Sequence, residues 1–285
     1  MYMRLLTINT HSVVEENYQQ KTRIFLDKIA ELRPDIIAMQ EVNQNAAAGE
    51  AGAALQLGRC VNNKESRRLK ADNHAAVVAS GLRERGLEYN WTWLPMKLGY
   101  NIYDEGEAVF CRRPIAETNA ILLTGEDDYN SWRTRYALGI RPAGSTDWFY
   151  SVHMGWWQDE KEPFAEQWLR LQQGIKDSGA EGRIFLMGDF NSPAQVRQEG
   201  YDLIDESGWQ DTYLMAEHKD GGNTVRGVID GWQDKLTKEE MLQGMRMDHI
   251  WCNKKIAVEN SRICFDGENE PVVSDHFGLI IETEE

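Results

Sequence analysis

Short apolar runs recur along the chain between polar turns, and most are too brief for a helix. Those at 3–8 (MRLLTI), 35–39 (DIIAM), 89–94 (YNWTWL), 107–111 (EAVFC), 147–152 (DWFYSV), 183–188 (RIFLMG), 247–252 (MDHIWC) and 277–281 (FGLII) predict buried strands. Three segments carry the helical period instead. Residues 18–32 place Phe25, Ile29 and Leu32 on one face. Residues 72–84 do the same with Ala75, Val78 and Leu82 after Asp72 as N-cap, and 163–177 open at Pro163 and bury Phe164, Trp168, Leu171 and Ile175. Each such stripe is suited to covering a sheet.

The tract 42–70 breaks the pattern with Asn, Gln, Ala and Gly and then a basic cluster, Lys64 to Lys70, which predicts an inserted loop or weak helix. No repeat of 20–50 residues and no Pro/Ser-rich linker divides the sequence, so residues 1–285 are expected to form one α/β-type domain.

Where the polar residues fall changes the picture more than their number does. Asn9, Glu41, His153, Asp189 with Asn191, Asp248, and Asp275 with His276 all sit where an apolar run ends or begins. If those strands lie side by side, their ends share one rim. A cluster of carboxylates, amides and imidazoles in which oxygen predominates suits a hard cation such as Mg²⁺ or Mn²⁺ better than zinc. In RIFLMGDFNSP, Asp189 and Asn191 stand two apart and face the same way along an extended chain. Ser274, Asp275 and His276 are adjacent, so a bend is needed for more than one of them to face the same site.

Charge narrows the partners. The 285 residues include 46 Asp+Glu against 31 Lys+Arg, a net −15, which disfavours tight sequence-independent binding of a long DNA duplex. It does not exclude a nuclease, because a carboxylate cluster gives the same sign and a divalent cation held there supplies the positive charge. Four scattered cysteines without a C-x-x-C pair predict reduced thiols. With no apolar stretch of 18 residues and no signal-peptide pattern at the N-terminus, the expected location is the cytoplasm. A Walker A loop, a G-x-G-x-x-G fingerprint, an HExxH helix and a G-x-S-x-G elbow are all lacking.

Taken in order, L-x-I-N at 6–9, R-P-D-I-I-A-M-Q-E at 33–41, E-G-E-A-V-F-C-R-R-P-I at 105–115, S-V-H at 151–153, G-D-F-N at 188–191, M-D-H-I at 247–250 and S-D-H at 274–276 resemble the endonuclease/exonuclease/phosphatase superfamily. The stretches GYNIYDEGEAVF and TVRGVIDGW are most similar to its sphingomyelinase-like and uncharacterised bacterial branches. The resemblance implies a DNase I-like fold, α/β (α+β), a four-layer sandwich of two packed mixed β-sheets flanked by helices. It also implies a Mg²⁺- or Mn²⁺-dependent hydrolase of phosphodiesters or phosphomonoesters. A nuclease of the same superfamily and a non-catalytic binding member are the alternatives. The expected partner is a phosphorylated small molecule or phosphodiester, and the expected state a monomer.

By the same resemblance Glu41, Asn9 and Asp275 would hold or border the metal. His276 would face the scissile phosphate with Asp248 on its other nitrogen; His153 would be the second histidine, with Glu105 as its carboxylate partner. Asp189 would move a proton and Asn191 bind a phosphoryl oxygen. Arg135, with Arg133 as rival, Tyr103 and Thr224 are expected near the phosphate. Trp156 or Trp157 would either stack on the substrate or pack on the helix at 163–177. His11, His74, His218 and His249 gain no role, and His249 should face away from the site because its neighbour Asp248 faces it.

Overall fold

A computed structural model describes residues 2–61, 67–227 and 243–284. The strands are β1 (Tyr2–Asn9), β2 (Ile36–Asn45), β3 (Asn90–Gly99), β4 (Tyr103–Cys111), β5 (Ile115–Leu122), β6 (Tyr136–Pro142), β7 (Trp148–His153), β8 (Ile184–Asp189), β9 (Gln210–Asp211), β10 (Ala216–Lys219), β11 (Asp248–Cys252), β12 (Val258–Cys264) and β13 (Gly278–Glu284). The α-helices are α1 (Tyr18–Leu32), α2 (His74–Glu84), α3 (Phe164–Asp177), α4 (Gly200–Glu206) and α5 (Thr212–Met215).

Two mixed sheets result. One runs β10-β12-β13-β1-β2-β4-β3 and the other β5-β6-β7-β8-β11-β9. Leu5, Ile36, Ala38 and Val109 of the first meet Leu138, Phe149, Phe185 and Ile250 of the second in a shared core. On the outer face of the first sheet, Phe25, Ile29, Val78 and Leu82 of α1 and α2 cover Leu6, Ile8 and Ile37. On the outer face of the second, Phe164, Trp168 and Leu171 of α3 cover Tyr150 and Leu186. Helix, sheet, sheet, helix is the four-layer sandwich expected. Because both faces of each sheet are buried, the strands read as near-continuous apolar runs.

All eight expected strands form, and most extend beyond their apolar runs. β2 continues through Val42 to Asn45, paired with β4, so the tract 42–70 begins as strand rather than loop. Beyond it lie turns, a 3-10 turn at Ala53–Gln56 and the bridge Glu50↔Lys70. Part of the basic cluster and the end of the TVRGVIDGW stretch lie outside the described residues. The N-cap of α2 is Asn73, which accepts a hydrogen bond from Ala76 N at 3.0 Å, whereas Asp72 accepts one from Asn45 N. Among the described residues the four cysteines are free, and no helix is long and apolar enough to cross a membrane.

Candidate active site

Parallel pairing of β1 with β2 and of β7 with β8 brings the C-terminal ends of these strands to one edge of the sandwich. The antiparallel partners β4, β11 and β13 start at that edge. Register then does the rest. His153 pairs with Asp189 across β7 and β8, and Asp248 pairs with Asp189 across β8 and β11. Three chemistry-bearing residues thus share one cross-strand row.

Asp189 is the hub. Its Oδ2 lies 3.6 Å from His153 Nε2, 3.8 Å from His276 Nε2 and 3.2 Å from Asn9 Nδ2. The other nitrogen of His276 is 2.9 Å from Asp248 Oδ2. Asn9 also donates to Glu41 Oε1 at 2.9 Å, tying the first sheet to the second. Asn191, in the left-handed region (φ 47), turns back so that its backbone N–H reaches Asp189 Oδ1 at 2.8 Å and its Nδ2 reaches Met154 O at 2.9 Å.

Burial shapes the charges. Burial opposes a proton on His276, yet the carboxylates of Asp248 and Asp189 raise its pKa well above the usual imidazole value. Burial, then the cations Arg135 and Lys97, push His153 well below it. Two histidines a few ångströms from the same carboxylate therefore prefer opposite protonation states, the arrangement in which one donates a proton and the other accepts one.

Glu41 sits in a bulge of β2 with φ 52, which turns its side chain out of the strand's alternation. Burial, then the charges of Glu105 and Asp275, raise its pKa. This crowding of carboxylates, with amide and imidazole groups at hand, fits a divalent cation. The ligand-type atoms of His11, Glu15 and Asp275 lie within 4.8 Å of one another, as do those of Asp189, Asp248 and His276.

A model of the endonuclease/exonuclease/phosphatase family matches residues 6–276. The chain belongs to that family. Among solved structures, the endonuclease/exonuclease/phosphatase family protein from Leptotrichia buccalis C-1013-b is similar with a TM-score of 0.83 and 30% identity, covering 99% of this chain and 100% of that one. The Bacteroides thetaiotaomicron VPI-5482 mannosyl-6-phosphatase (TM-score 0.65, 16% identity, 99% of this chain and 100% of that one) and truncated Caenorhabditis elegans TDP2 (0.61, 13%, 100% and 98%) share the fold. No curated protein sequence matches the chain.

Within this endonuclease/exonuclease/phosphatase chain several expected roles change. Glu105 does not hydrogen-bond His153; its Oε1 takes the Lys97 ammonium at 2.9 Å, and His153 Nδ1 has no partner among the described residues. The strand neighbour β3 supplies a buried lysine that the resemblance did not anticipate. Thr224 is fully buried, and its Oγ1 accepts the N–H groups of both Met247 and Asp248 at 3.0 Å. It therefore fixes the start of β11. Arg135 is buried and donates to the carbonyls of Trp132 and Thr134. Its rival Arg133 pairs with Asp159 and stacks over Trp132 at 4.2 Å. Tyr103 is half-buried at the start of β4, on the face that carries Glu105. Trp157 packs on Phe164 of α3, while half-buried Trp156 lies against Val225, Met245 and Met247.

The sequence reading missed four residues: His11, Gln40, Lys97 and Glu107. His11 follows β1 with φ 46, hydrogen-bonds Glu15 at 2.8 Å and feels the charges of Glu41 and Asp275. Gln40, fully buried, donates to Ser151 Oγ across the two sheets at 2.8 Å. A Gln inside an apolar run was the available signal for it. His249 faces away as expected, hydrogen-bonded to Arg246 and packed on Phe190 and Tyr201.

Proposed function

We propose that this chain is a divalent-metal-dependent phosphoric ester hydrolase. Its substrate is a small phosphorylated compound or phosphodiester rather than long duplex DNA, a choice supported by the net charge of −15. The observation that carries the reading is the convergence of both imidazole Nε2 atoms and Asn9 on Asp189 Oδ2.

Glu41, Asp275 and Asn9 would hold Mg²⁺ or Mn²⁺, which when bound neutralises the phosphoryl oxygens and polarises the P–O bond. Asn9, already donating to Glu41, orients that carboxylate. Asp189 and the neutral His153 are placed to take a proton from attacking water. His276, kept protonated by Asp248, would supply positive charge and a proton to the phosphoryl group or its leaving oxygen. Asn191, whose side-chain amide reaches Met154 O and Asp189, would contact a phosphoryl oxygen beside that carboxylate. Arg135 adds a guanidinium fork. The carboxylates and histidines that the resemblance calls for, Glu41, Glu105, His153, Asp189, Asp248, Asp275 and His276, are all present, which supports an enzyme over a non-catalytic binding member.

The test is hydrolysis of p-nitrophenyl phosphate and bis-p-nitrophenyl phosphate by protein stripped with EDTA and reloaded with Mg²⁺ or Mn²⁺. Activity should vanish on chelation, return with metal, and fall about 10²–10⁴-fold in Asp189→Asn. Full turnover after chelation, or in Asp189→Asn, would end the reading.

A further inference from the structure

Beside His153 lie two buried cations tied to a single backbone oxygen. Lys97 Nζ donates to Trp132 O at 3.1 Å, and Arg135 NH1 donates to the same oxygen at 2.8 Å. Both residues are 6% exposed, and both act electrostatically on His153. Two like charges held this close repel each other: burial and then the Arg135 guanidinium lower the pKa of Lys97.

Glu105 pairs with Lys97, and Glu41 acts on it more weakly. Glu107, on the same face of β4, also feels Arg135 and Lys97, but burial outweighs them and pushes its pKa up to about 8, so it balances them only in part at pH 7. Arg135 Nε is buried and has no acceptor among the described residues. Two buried cations side by side, one with a guanidinium N–H lacking an acceptor among the described residues, suit an anion with several acceptor oxygens.

We propose that Lys97 and Arg135 together form a subsite for the terminal oxygens of the phosphoryl group, and that the substrate is a phosphate monoester rather than a diester. The inference rests on the phosphoesterase reading above. A monoester phosphate carries about −1.5 to −2 at pH 7 and three terminal oxygens. A diester offers one negative charge and two such oxygens, so it has less to give a second buried cation. The guanidinium fork and the ammonium point charge divide the three oxygens between them.

The experiment compares kcat/KM for p-nitrophenyl phosphate and bis-p-nitrophenyl phosphate, with saturating Mn²⁺, in the wild type, Lys97→Met, Lys97→Arg and the charge-balanced Lys97→Met/Glu105→Gln. Inorganic phosphate binding is measured separately by calorimetry. The wild type should prefer the monoester. Lys97→Met should lose about 10- to 100-fold on the monoester, as expected for one charged hydrogen bond, and clearly less on the diester. Phosphate affinity should fall by a similar factor, with partial recovery in Lys97→Arg. The double variant, in which no carboxylate is left unpaired, should show the same loss while keeping the wild-type circular dichroism. A wild-type preference for the diester, equal losses on both esters, or phosphate affinity unchanged in the Lys97 variants would overturn the proposal. If the wild type turns over neither ester, the phosphoesterase reading fails. The phosphate titration still decides the subsite: Lys97-dependent binding upholds it and Lys97-independent binding overturns it.

Discussion

His276 Nδ1 lies 2.9 Å from Asp248 Oδ2, while its Nε2 looks toward Asp189 at 3.8 Å. Asp248 is fully buried, and its backbone is pinned by Thr224, so the ring is held by a carboxylate that cannot swing away. This is an orienting group of the kind that fixes which imidazole nitrogen faces the substrate.

Replacing Asp248 with Asn keeps the shape and removes the charge. His276 has its proton held chiefly by Asp248 against the cost of burial, so its pKa should fall in Asp248→Asn. The limb of the pH–rate profile that reports loss of this proton should then move to lower pH, and kcat near neutrality should drop about 10²–10⁴-fold. A kcat–pH profile superimposable on that of the wild type would show that His276 needs no such partner.

Gln40 joins the sheets behind the site. Its Nε2 donates to Ser151 Oγ at 2.8 Å, and Ser151 in turn donates to Met39 O at 3.2 Å, all in the dry core. Gln40→Leu leaves those groups short of a partner in a place without water. A loss of about 1–3 kcal/mol is expected, read as a lower urea midpoint with the slope unchanged. A midpoint within error of the wild type would mean that the core closes over the gap at no cost.

How far the sequence foretold this molecule depends on which residues one asks about. The eight strands with apolar runs were visible because burial on both faces leaves an unbroken apolar signature. β5 (IAETNAIL) was not, because most of it is exposed or half-exposed at a sheet edge and its composition is mixed. β12 (VENSRIC) hid for a related reason: polar Glu259, Asn260 and Arg262 interrupt it. In the site, Asp189, Asp248 and His276 were legible from their motifs and meet as expected. Lys97 was not, because a lone lysine in a strand carries no motif. Its meaning comes only from β3 pairing with β4 opposite Glu105. The partner of His153 was misassigned for the same reason, since sequence order cannot show that a neighbouring strand has already claimed Glu105.

Gly188 is the backbone hinge under Asp189. It has φ 153, and a Cβ there would stand 1.9 Å from Val152 O and 2.9 Å from Gln40 Nε2. The carbonyl belongs to the paired strand β7 and cannot yield without breaking the row that aligns His153 with Asp189. Gly188→Ala should therefore cost about 3 kcal/mol or more and remove most activity in whatever protein folds. Denaturant titration and specific activity check this together, and a stable, fully active Gly188→Ala would contradict the close approach.

His74 offers an acid-sensitive element away from the chemistry. It opens α2 and is buried, and its Nδ1 is 2.9 Å from Tyr18 OH, whose pKa burial raises to about 12 so that the phenol stays a donor to a neutral ring. Burial lowers the pKa of His74 to about 3. Because the folded value lies below the unfolded one of about 6.5, the unfolded chain binds the extra proton between these limits. The stabilisation is therefore complete above pH 6.5 and is lost as pH falls toward 3. At pH 5 the loss from this group alone should be about 2 kcal/mol relative to pH 7. His74→Asn keeps an acceptor for Tyr18 but cannot titrate. It should start less stable than the wild type at pH 7 and lose less on going to pH 5. Urea midpoints at the two pH values decide the matter: equal acid losses in both proteins would show that His74 takes up its proton without opening the fold.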